Sequence, residues 1–189
     1  MKSSKLRASL LSSSSLTRPS DWYAMLSPEQ RVIADKIIEV GCACLLSEQG
    51  TGKTIITLAV LQKLMLKKVL IVTPLTSIEV TWSRRLRERW NVHLELEKED
   101  GVNVLGYEFF RNNIKKILKI KWDMVIFDES QGLKDRGSKQ SRAARRLRLL
   151  VKRRLILSGT PIDDSPIDIA RKRVVSGTSV DLGGRRIIK

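Results

Sequence analysis

Residues Ser47–Leu58 read SEQGTGKTIITL and contain a glycine-rich turn followed by Lys-Thr. The apolar run CACLL precedes the turn and an apolar helical pattern follows it, which predicts a strand, a tight loop and a helix in that order. Backbone N–H groups and the positive end of the helix then face one concavity that suits phosphate oxygens. We therefore expect a phosphate-binding loop, whose candidate residues are Gln49, Gly50, Thr51, Gly52, Lys53 and Thr54.

Two side chains of this loop indicate its ligand. Lys53 has the position from which an ammonium group reaches the β- and γ-phosphates of ATP, and the Thr54 hydroxyl has the position of a Mg²⁺ ligand. The usual spacing places glycine where this chain has Ser47, and glycine turns followed by Lys-Thr also occur by chance. The flanking strand and helix favour the nucleotide site over the chance turn.

An acidic pair completes the expected site. The sequence DMVIFDES carries four apolar residues directly into Asp128 and Glu129. Ligands collect at the carboxyl ends of parallel strands. Asp128 is therefore a candidate for holding the hydration shell of Mg²⁺, and Glu129 for orienting and deprotonating the attacking water. The alternative is that the pair only forms the turn after a strand.

The rest of the chain alternates apolar strands with helices. Strands are predicted at CACLLS, KKVLIVTP, HLEL, VNVLGY, MVIF and RLILS. Helices are predicted from Ser27 to Gly41, Thr54 to Met65, Ile78 to Trp90, Glu108 to Leu118 and Ser138 to Val151. Apolar strands that alternate with helices are typical of a parallel sheet covered on both faces. We predict an α/β fold with a mostly parallel sheet, formed as a single lobe over residues 21–170.

Two of the helical patterns carry further expectations. Ser27 with Gln30 has the pattern of a capping box around Pro28, which would begin the first helix. In the third helix Trp82 and Trp90 recur at helical spacing with Ile78 and Leu86. That spacing favours a place in the core over a platform on which bases stack.

The charge of the chain favours a polyanionic partner. Its 36 Lys and Arg residues against 20 Asp and Glu residues give a formal net charge of +16. Nucleic acid is the polyanion that such an excess most often serves, and a surface charged only for solubility is the alternative.

The basic residues concentrate between Lys134 and Arg154, where ten of them accompany one acidic residue. Ala143, Ala144, Leu147 and Val151 would form the buried face of a helix and direct the arginines outward. A solvated helix face would mix both signs of charge, so the segment favours phosphate contact. The ten are Lys134, Arg136, Lys139, Arg142, Arg145, Arg146, Arg148, Lys152, Arg153 and Arg154.

Cysteine use and hydropathy indicate the cellular compartment in which the protein is expected. Cys42 and Cys44 have the spacing of neither a disulfide nor a zinc knuckle, which indicates a reducing compartment. No apolar run approaches the roughly 18 residues that span a bilayer, so we expect no membrane partner. A cytoplasmic or nucleoid-associated location is expected, in a viral or bacterial host for example, while nuclear or organellar locations are left open.

Both ends of the chain are expected to be basic tails. Residues 1–20 are rich in serine and carry four basic and no acidic residues, which favours a disordered tail over an organellar transit peptide. Residues 171–189 form a second basic segment, which is also a candidate truncation point.

The order of these motifs resembles the first RecA-like lobe of superfamily 2 helicases, and in particular the Swi/Snf-type DNA translocases. LSPEQ resembles the adenine-reading segment of that family, SEQGTGKT its motif I and VLIVTPLTSIEVTW its motif Ia. DESQGLK resembles the DExH-type motif II, and LILSGTPI resembles motif III. The resemblance covers Leu26 to about Ile169.

Carried over position by position, the resemblance assigns further roles. It implies that Gln30 contacts adenine, although the capping box alone would also explain this residue. It also implies that Gln131 acts in catalysis by linking the ATP site to Ser158 and Thr160, which would couple hydrolysis to movement. Residues Pro74 to Ser77 would border the nucleic-acid track.

Three positions depart from the family pattern. Gln131 stands where these translocases usually have histidine, which puts the strength of coupling in doubt, although glutamine can still donate and accept hydrogen bonds. Asp164 stands where asparagine is expected, and Arg85 where an acidic residue is common, which leaves the subfamily undefined.

The resemblance implies the ATP-binding first lobe of a DNA-dependent ATPase or translocase, with ATP and Mg²⁺ as cofactors and duplex DNA as partner. In this family an opposing lobe supplies a catalytic arginine, so we expect turnover to need a second helicase lobe in trans. The sequence therefore leaves open whether the chain alone is an ATP hydrolase. One alternative is a non-catalytic, truncated remnant that binds nucleic acid or a protein partner. Another is an unrelated ATPase with a phosphate loop, which would not predict SGTP after the acidic strand.

Overall fold

A computed structural model describes residues 21–48, 50–133, 135, 137–159 and 180–181. The expected tail 1–20 and all but two residues of the expected tail 171–189 lie outside this part of the chain. Outside it also lie the candidate residues Gln49, Lys134, Arg136, Thr160 and Asp164, and the end of the family resemblance at Ile169.

The described strands form one sheet in the order β3-β4-β2-β5-β6-β1-β7. Every neighbouring pair in it is parallel, which confirms the predicted sheet. The strands are β1 Cys42–Leu46, β2 Lys68–Thr73, β3 Val92–His93, β4 Gly101–Gly106, β5 Met124–Phe127, β6 Arg153–Ser158 and β7 Val180–Asp181.

Helices precede or follow most strands. The α-helices are α1 Pro28–Val40, α2 Lys53–Leu64, α3 Leu75–Ser77, α4 Arg84–Leu86, α5 Tyr107–Asn112, α6 Ile114–Ile117 and α7 Lys139–Leu147. A π-helix, Ile78–Ser83, joins α3 to α4, and a 3₁₀-helix spans Ser130–Leu133. The predicted capping box is present, because Ser27 Oγ accepts a hydrogen bond from Gln30 N while Gln30 Oε1 accepts one from Ser27 N.

The sheet separates two apolar cores. Val69 and Ile71 of β2 pack with residues of α1 and α2, whereas Leu70 and Val72 pack with residues of α5, α6 and α7. Side chains alternate between the faces of a strand, so a strand that is apolar throughout must be covered on both sides. The predicted α/β fold with helices on both faces is confirmed.

Two predicted helices are interrupted. The helix expected over Ile78 to Trp90 is divided among the π-helix, α4 and a following turn, although Trp82 is fully buried as expected. The helix expected over Glu108 to Leu118 breaks at Asn113, whose side-chain amide donates to Phe109 O at 3.0 Å. In the first of these helices the spacing correctly placed Trp82 and Leu86 in the core, but in both places side-chain hydrogen bonds and tertiary packing changed the backbone.

The two cysteines are free and buried. This agrees with the prediction that they form no disulfide, and burial raises the pKa of the Cys44 thiol to about 12. Among the described residues no helix is long and apolar enough to cross a membrane.

Candidate functional site

Segments that follow β1, β2 and β5 line a cleft with a volume of about 610 Å³. The cleft brings together six of the residues predicted to bind nucleotide or metal, namely Gly50, Gly52, Lys53, Thr54, Asp128 and Glu129. Gln30 and Thr51 lie beside this group without lining the cleft. Parallel strands end at one edge of the sheet, which is why motifs far apart in the chain meet here.

The phosphate loop folds tightly around the Lys53 side chain. Its ammonium donates to the carbonyl oxygens of Ser47 and Glu48, each at 2.8 Å, and the residue is 8% exposed. Ser47 Oγ lies 2.5 Å from Thr51 Oγ1, so the serine that replaces the expected glycine bridges the loop with a hydrogen bond. The charge that would meet a phosphate therefore lies within the loop, at the first turn of α2.

Asp128 is held by three hydrogen bonds. Its Oδ2 accepts from Trp82 Nε1 at 2.8 Å and from Thr73 Oγ1 at 3.0 Å. Its Oδ1 accepts from the backbone N–H of Glu129 at 3.0 Å. The residue is 7% exposed, so these donors compensate a carboxylate that has lost most of its water.

Glu129 has a strained backbone. Its φ of 47° lies in the left-handed region, which costs a residue other than glycine about 1–3 kcal/mol. The peptide before it is held by Tyr107, whose hydroxyl donates to Asp128 O at 2.8 Å. Burial of the Tyr107 hydroxyl, with the charges of Asp128 and Glu129 as lesser causes, raises its pKa well above the ordinary value. Tyr107 therefore stays a hydrogen-bond donor at neutral pH.

The residues present fit a magnesium ion that is shared with a nucleotide. Glu129 Oε2 is buried and has no hydrogen-bond partner among the described residues, while Thr54 and Asp128 line the same cleft. Mg²⁺ prefers oxygen ligands and commonly takes only one or two from protein, with water and phosphate completing its shell. In the described part of the chain no cluster of three His, Cys, Asp or Glu residues forms a metal cage.

Gln30 has two contacts that correspond to its two interpretations. Its Oε1 completes the capping box, while its Nε2 lies 3.3 Å from Thr51 O of the phosphate loop. The cap is therefore satisfied without excluding a place beside the nucleotide, and adenine contact stays a prediction.

The residues predicted to couple the site to movement are only partly described. Gln131 lies in the 3₁₀-helix that follows Glu129, and its side chain is outside the described part of the chain. Ser158 is buried, and its carbonyl oxygen accepts from Ser47 N at 3.1 Å. The end of β6 therefore contacts the beginning of the phosphate loop, and the role of Gln131 stays a prediction.

The tryptophans lie in the core, as their spacing predicted. Trp82 is fully buried, and Trp90 stacks on Trp22 with ring centroids 5.5 Å apart. The bond from Trp82 to Asp128 was not expected, and neither were the contacts of Thr73 and Tyr107. The apolar spacing of Trp82 gave no sign of them, since they depend on how distant segments approach.

The basic segment is partly exposed. Arg142 and Arg146 of α7 are exposed, while Ala143, Ala144 and Leu147 form the predicted buried face. Arg154, which was expected to face outward, is instead 3% exposed and donates to the carbonyl oxygens of Arg148 and Val151. It lies in β6 on the same strand face as Ile156, which packs in the core covered by α5, α6 and α7, so its side chain is removed from the basic surface. Arg85 lines the cleft and donates to Thr81 O at 3.0 Å.

Comparison with known families agrees with this geometry. The family described as SNF2-related domain matches residues 24–171. The chain belongs to this SNF2-related family. Its phosphate loop, acidic pair and β6 all lie inside the matched range.

SNF2-related proteins from distant organisms are similar to this chain. The uncharacterized ATP-dependent helicase YqhH of Bacillus subtilis is 29% identical over 151 residues, which cover 72% of this chain and 27% of that protein. The chromatin-remodeling ATPase INO80 of Candida albicans is 31% identical over 150 residues, covering 64% of this chain and 11% of that protein. The SNF2-related chain thus spans about a quarter or less of the length of these relatives.

A solved structure has the same fold. The Sulfolobus solfataricus SWI2/SNF2 ATPase core in complex with dsDNA matches with a TM-score of 0.72 at 22% identity, over 82% of this chain and 37% of that one. Together with the family match, this confirms the predicted resemblance to the N-terminal RecA-like lobe of Swi/Snf-type proteins.

Proposed function

We propose that the chain is the ATP-binding first lobe of a Swi/Snf-like DNA-dependent ATPase, which binds ATP·Mg²⁺ and a nucleic-acid backbone and needs a second lobe for turnover. The observation that carries the proposal is the cleft itself. It unites Lys53 and Thr54 of the phosphate loop with Asp128 and Glu129 of the acidic strand end, although these pairs lie far apart in the chain.

In this proposal the phosphate loop binds the triphosphate. Lys53 exchanges its bonds to the carbonyls of Ser47 and Glu48 for bonds to the β- and γ-phosphates, which are better acceptors because they are charged. Backbone N–H groups of residues 50–54, where the loop enters α2, would supply further donors to these oxygens, and Gln30 lies beside them. Thr54 places a hydroxyl at the metal position.

The acidic pair supplies the hydrolytic half of the site. Mg²⁺, when bound, would neutralise charge on the phosphate oxygens. Asp128 accepts hydrogen bonds from its water shell, and Glu129 orients the attacking water and takes its proton at the carboxylate. The unpartnered Oε2 of Glu129 supports this role, because a buried acceptor without a donor is costly and is commonly kept for function.

Binding of a fluorescent ATP analogue to the full chain tests the proposal. Lys53→Ala should weaken binding about 10- to 100-fold, because hydrogen bonds to charged groups contribute about 1.5–3 kcal/mol. Lys63→Ala is the matched control, since Lys63 is an exposed lysine of the same helix that lies over the Tyr23 ring instead of the cleft. Unchanged affinity in Lys53→Ala would remove the phosphate-loop assignment.

The partner we propose is duplex DNA, contacted through its phosphates. The exposed arginines of α7 support a polyanion, and the solved SWI2/SNF2 core of Sulfolobus solfataricus was determined with dsDNA. A second lobe is proposed because an arginine that stabilises the transferring phosphoryl group contributes about 10³- to 10⁵-fold in turnover.

A second candidate is a non-catalytic lobe that binds nucleic acid without nucleotide. The bond between Ser47 and Thr51 across the phosphate loop favours it, because glycine at the first position would leave the loop free to open. Under this candidate the wild-type chain binds duplex DNA but not the ATP analogue, and Ser47→Gly restores analogue binding.

A further inference from the structure

Two buried side chains hold one oxygen of Asp128 from the side of the core. Trp82 Nε1 and Thr73 Oγ1 both donate to Oδ2, at 2.8 and 3.0 Å, and Trp82 and Thr73 are both fully buried. They come from different elements, since Thr73 ends β2 and Trp82 lies in the π-helix. The carboxylate is therefore restrained from two directions.

These bonds leave the two carboxylate oxygens of Asp128 with unequal capacity to accept further hydrogen bonds. A carboxylate oxygen accepts about two hydrogen bonds, so Oδ2 is saturated by its two donors. In the described part of the chain Oδ1 accepts one bond, from Glu129 N at 3.0 Å. Of the two oxygens of this cleft-lining carboxylate, Oδ1 is therefore the one that can still accept a hydrogen bond or bind a metal.

We infer that Trp82 and Thr73 are positioning residues that fix the Asp128 carboxylate so that Oδ1 alone serves the metal and its water. The inference rests on the proposed function, because it concerns the same ATP·Mg²⁺ site. Partners that orient a metal-binding group act by removing its alternative rotamers and by saturating its other acceptor.

The π-helix is the local feature that brings Trp82 to Asp128. Its wider turn adds one residue to the repeat, and Ser83 Oγ donates to Ile78 O at 2.8 Å across it. The α-helical spacing of Ile78, Trp82, Leu86 and Trp90 by itself predicts only an apolar role for Trp82. The π-helix therefore coincides with a hydrogen bond from Trp82 to Asp128 that the apolar spacing did not predict.

The competing explanation is that Trp82 is a core residue whose N–H bonds to the nearest acceptor. It packs among apolar residues such as Leu86, so its loss would destabilise the fold under either explanation. The two explanations differ in the metal dependence of nucleotide binding, which core packing alone would not change.

The test measures binding of a fluorescent ATP analogue to the full chain, first without metal and then as a function of Mg²⁺ concentration. The variants are Trp82→Phe and Thr73→Val, which each remove one donor to Oδ2, and Thr73→Ser, which keeps the hydroxyl. Trp90→Phe is the matched control, because Trp90 stacks on Trp22 instead of bonding to Asp128. Thermal unfolding of each variant reports its fold.

We expect the half-saturating Mg²⁺ concentration to rise about tenfold or more in Trp82→Phe and Thr73→Val, the scale seen when partners of metal-binding groups are removed. Binding of the metal-free analogue should be unchanged, while Thr73→Ser and Trp90→Phe should behave like the wild type. If Trp82→Phe does not fold, Thr73→Val decides the question, because valine has the shape of threonine.

Two results would overturn the inference while leaving the proposed function intact. The first is an unchanged Mg²⁺ dependence in the donor-removing variants. The second is a loss of metal-free binding that is equal in these variants and in Trp90→Phe, which would show a role in folding only. A wild-type chain that binds no analogue would instead refute the proposed function, and the inference with it.

Discussion

Gly52 ends the phosphate loop in a conformation that other residues resist. Its φ is 90°, in the left-handed region, and a Cβ there would lie 2.5 Å from Gln30 Nε2 and 3.3 Å from Ile55 Cγ2. Gly52→Ala should therefore introduce two costs, one from the backbone and one from displacing the Gln30 side chain. Gly50→Ala measures the backbone cost alone, because the φ of Gly50 is 82° but a Cβ at that residue would meet nothing within 4 Å.

The backbone cost should be similar at both glycines, about 1–2 kcal/mol of the free energy of unfolding. Only Gly52→Ala should also displace Gln30, which donates to Thr51 O at 3.3 Å and accepts from Ser27 N at 3.1 Å. The Gln30 side chain can turn away, so the extra cost is limited to these partly exposed bonds. We expect about 1 kcal/mol beyond the cost of Gly50→Ala.

Urea unfolding followed by tryptophan fluorescence would measure these free energies. The double variant Gln30→Ala with Gly52→Ala completes the cycle, since removal of the Gln30 amide should remove most of the extra cost of Gly52→Ala and leave only the contact with Ile55. If both alanine substitutions cost the same with Gln30 present, the capping side chain does not rest on the phosphate loop. An extra cost that is undiminished without Gln30 would equally refute the reasoning.

Two further outcomes concern DNA and turnover. Arg142→Glu, Arg145→Glu and Arg146→Glu together should weaken duplex-DNA binding and flatten its log–log salt dependence by about 0.9 per lost phosphate contact, as measured by fluorescence anisotropy. An unchanged affinity and slope would identify these arginines as a solvated face. The chain alone with saturating DNA should hydrolyse ATP well below about 1 s⁻¹, the lower end of ordinary enzymes. Faster DNA-stimulated turnover that is lost in Glu129→Gln would contradict the need for a second lobe.

The sequence was sufficient for the central strands, for the first two helices and for the two motifs. β1, β2, β5 and β6 each coincide with a short apolar run, and α1 begins at a capping box and ends at Gly41 with φ of 68°, so local chemistry defines them. The strand expected at HLEL is instead β3 at Val92–His93, and β7 was not predicted. Lys53 with Thr54, and Asp128 with Glu129, are contiguous pairs beside such elements. Their expected meeting at one edge followed from the parallel sheet, because its strands all end on the same side.

The tertiary structure decided the order of the strands and the support of the site. β1 lies beside β6, and β2 lies between β4 and β5, because hydrogen bonds between strands join segments that are remote in the chain. The same holds for the donors to Asp128, since Thr73 and Trp82 look like a strand end and a core residue in the sequence.

Arg154 shows the same limit at a single position. In the sequence it ends a basic run, but in the fold it lies in a strand of a sheet covered on both faces, where it is buried and donates to backbone carbonyls. Periodicity and capping act over a few residues and are visible in the chain. The partner of a buried polar group is set by packing across the whole lobe, so it becomes visible only when the strands and helices are assembled.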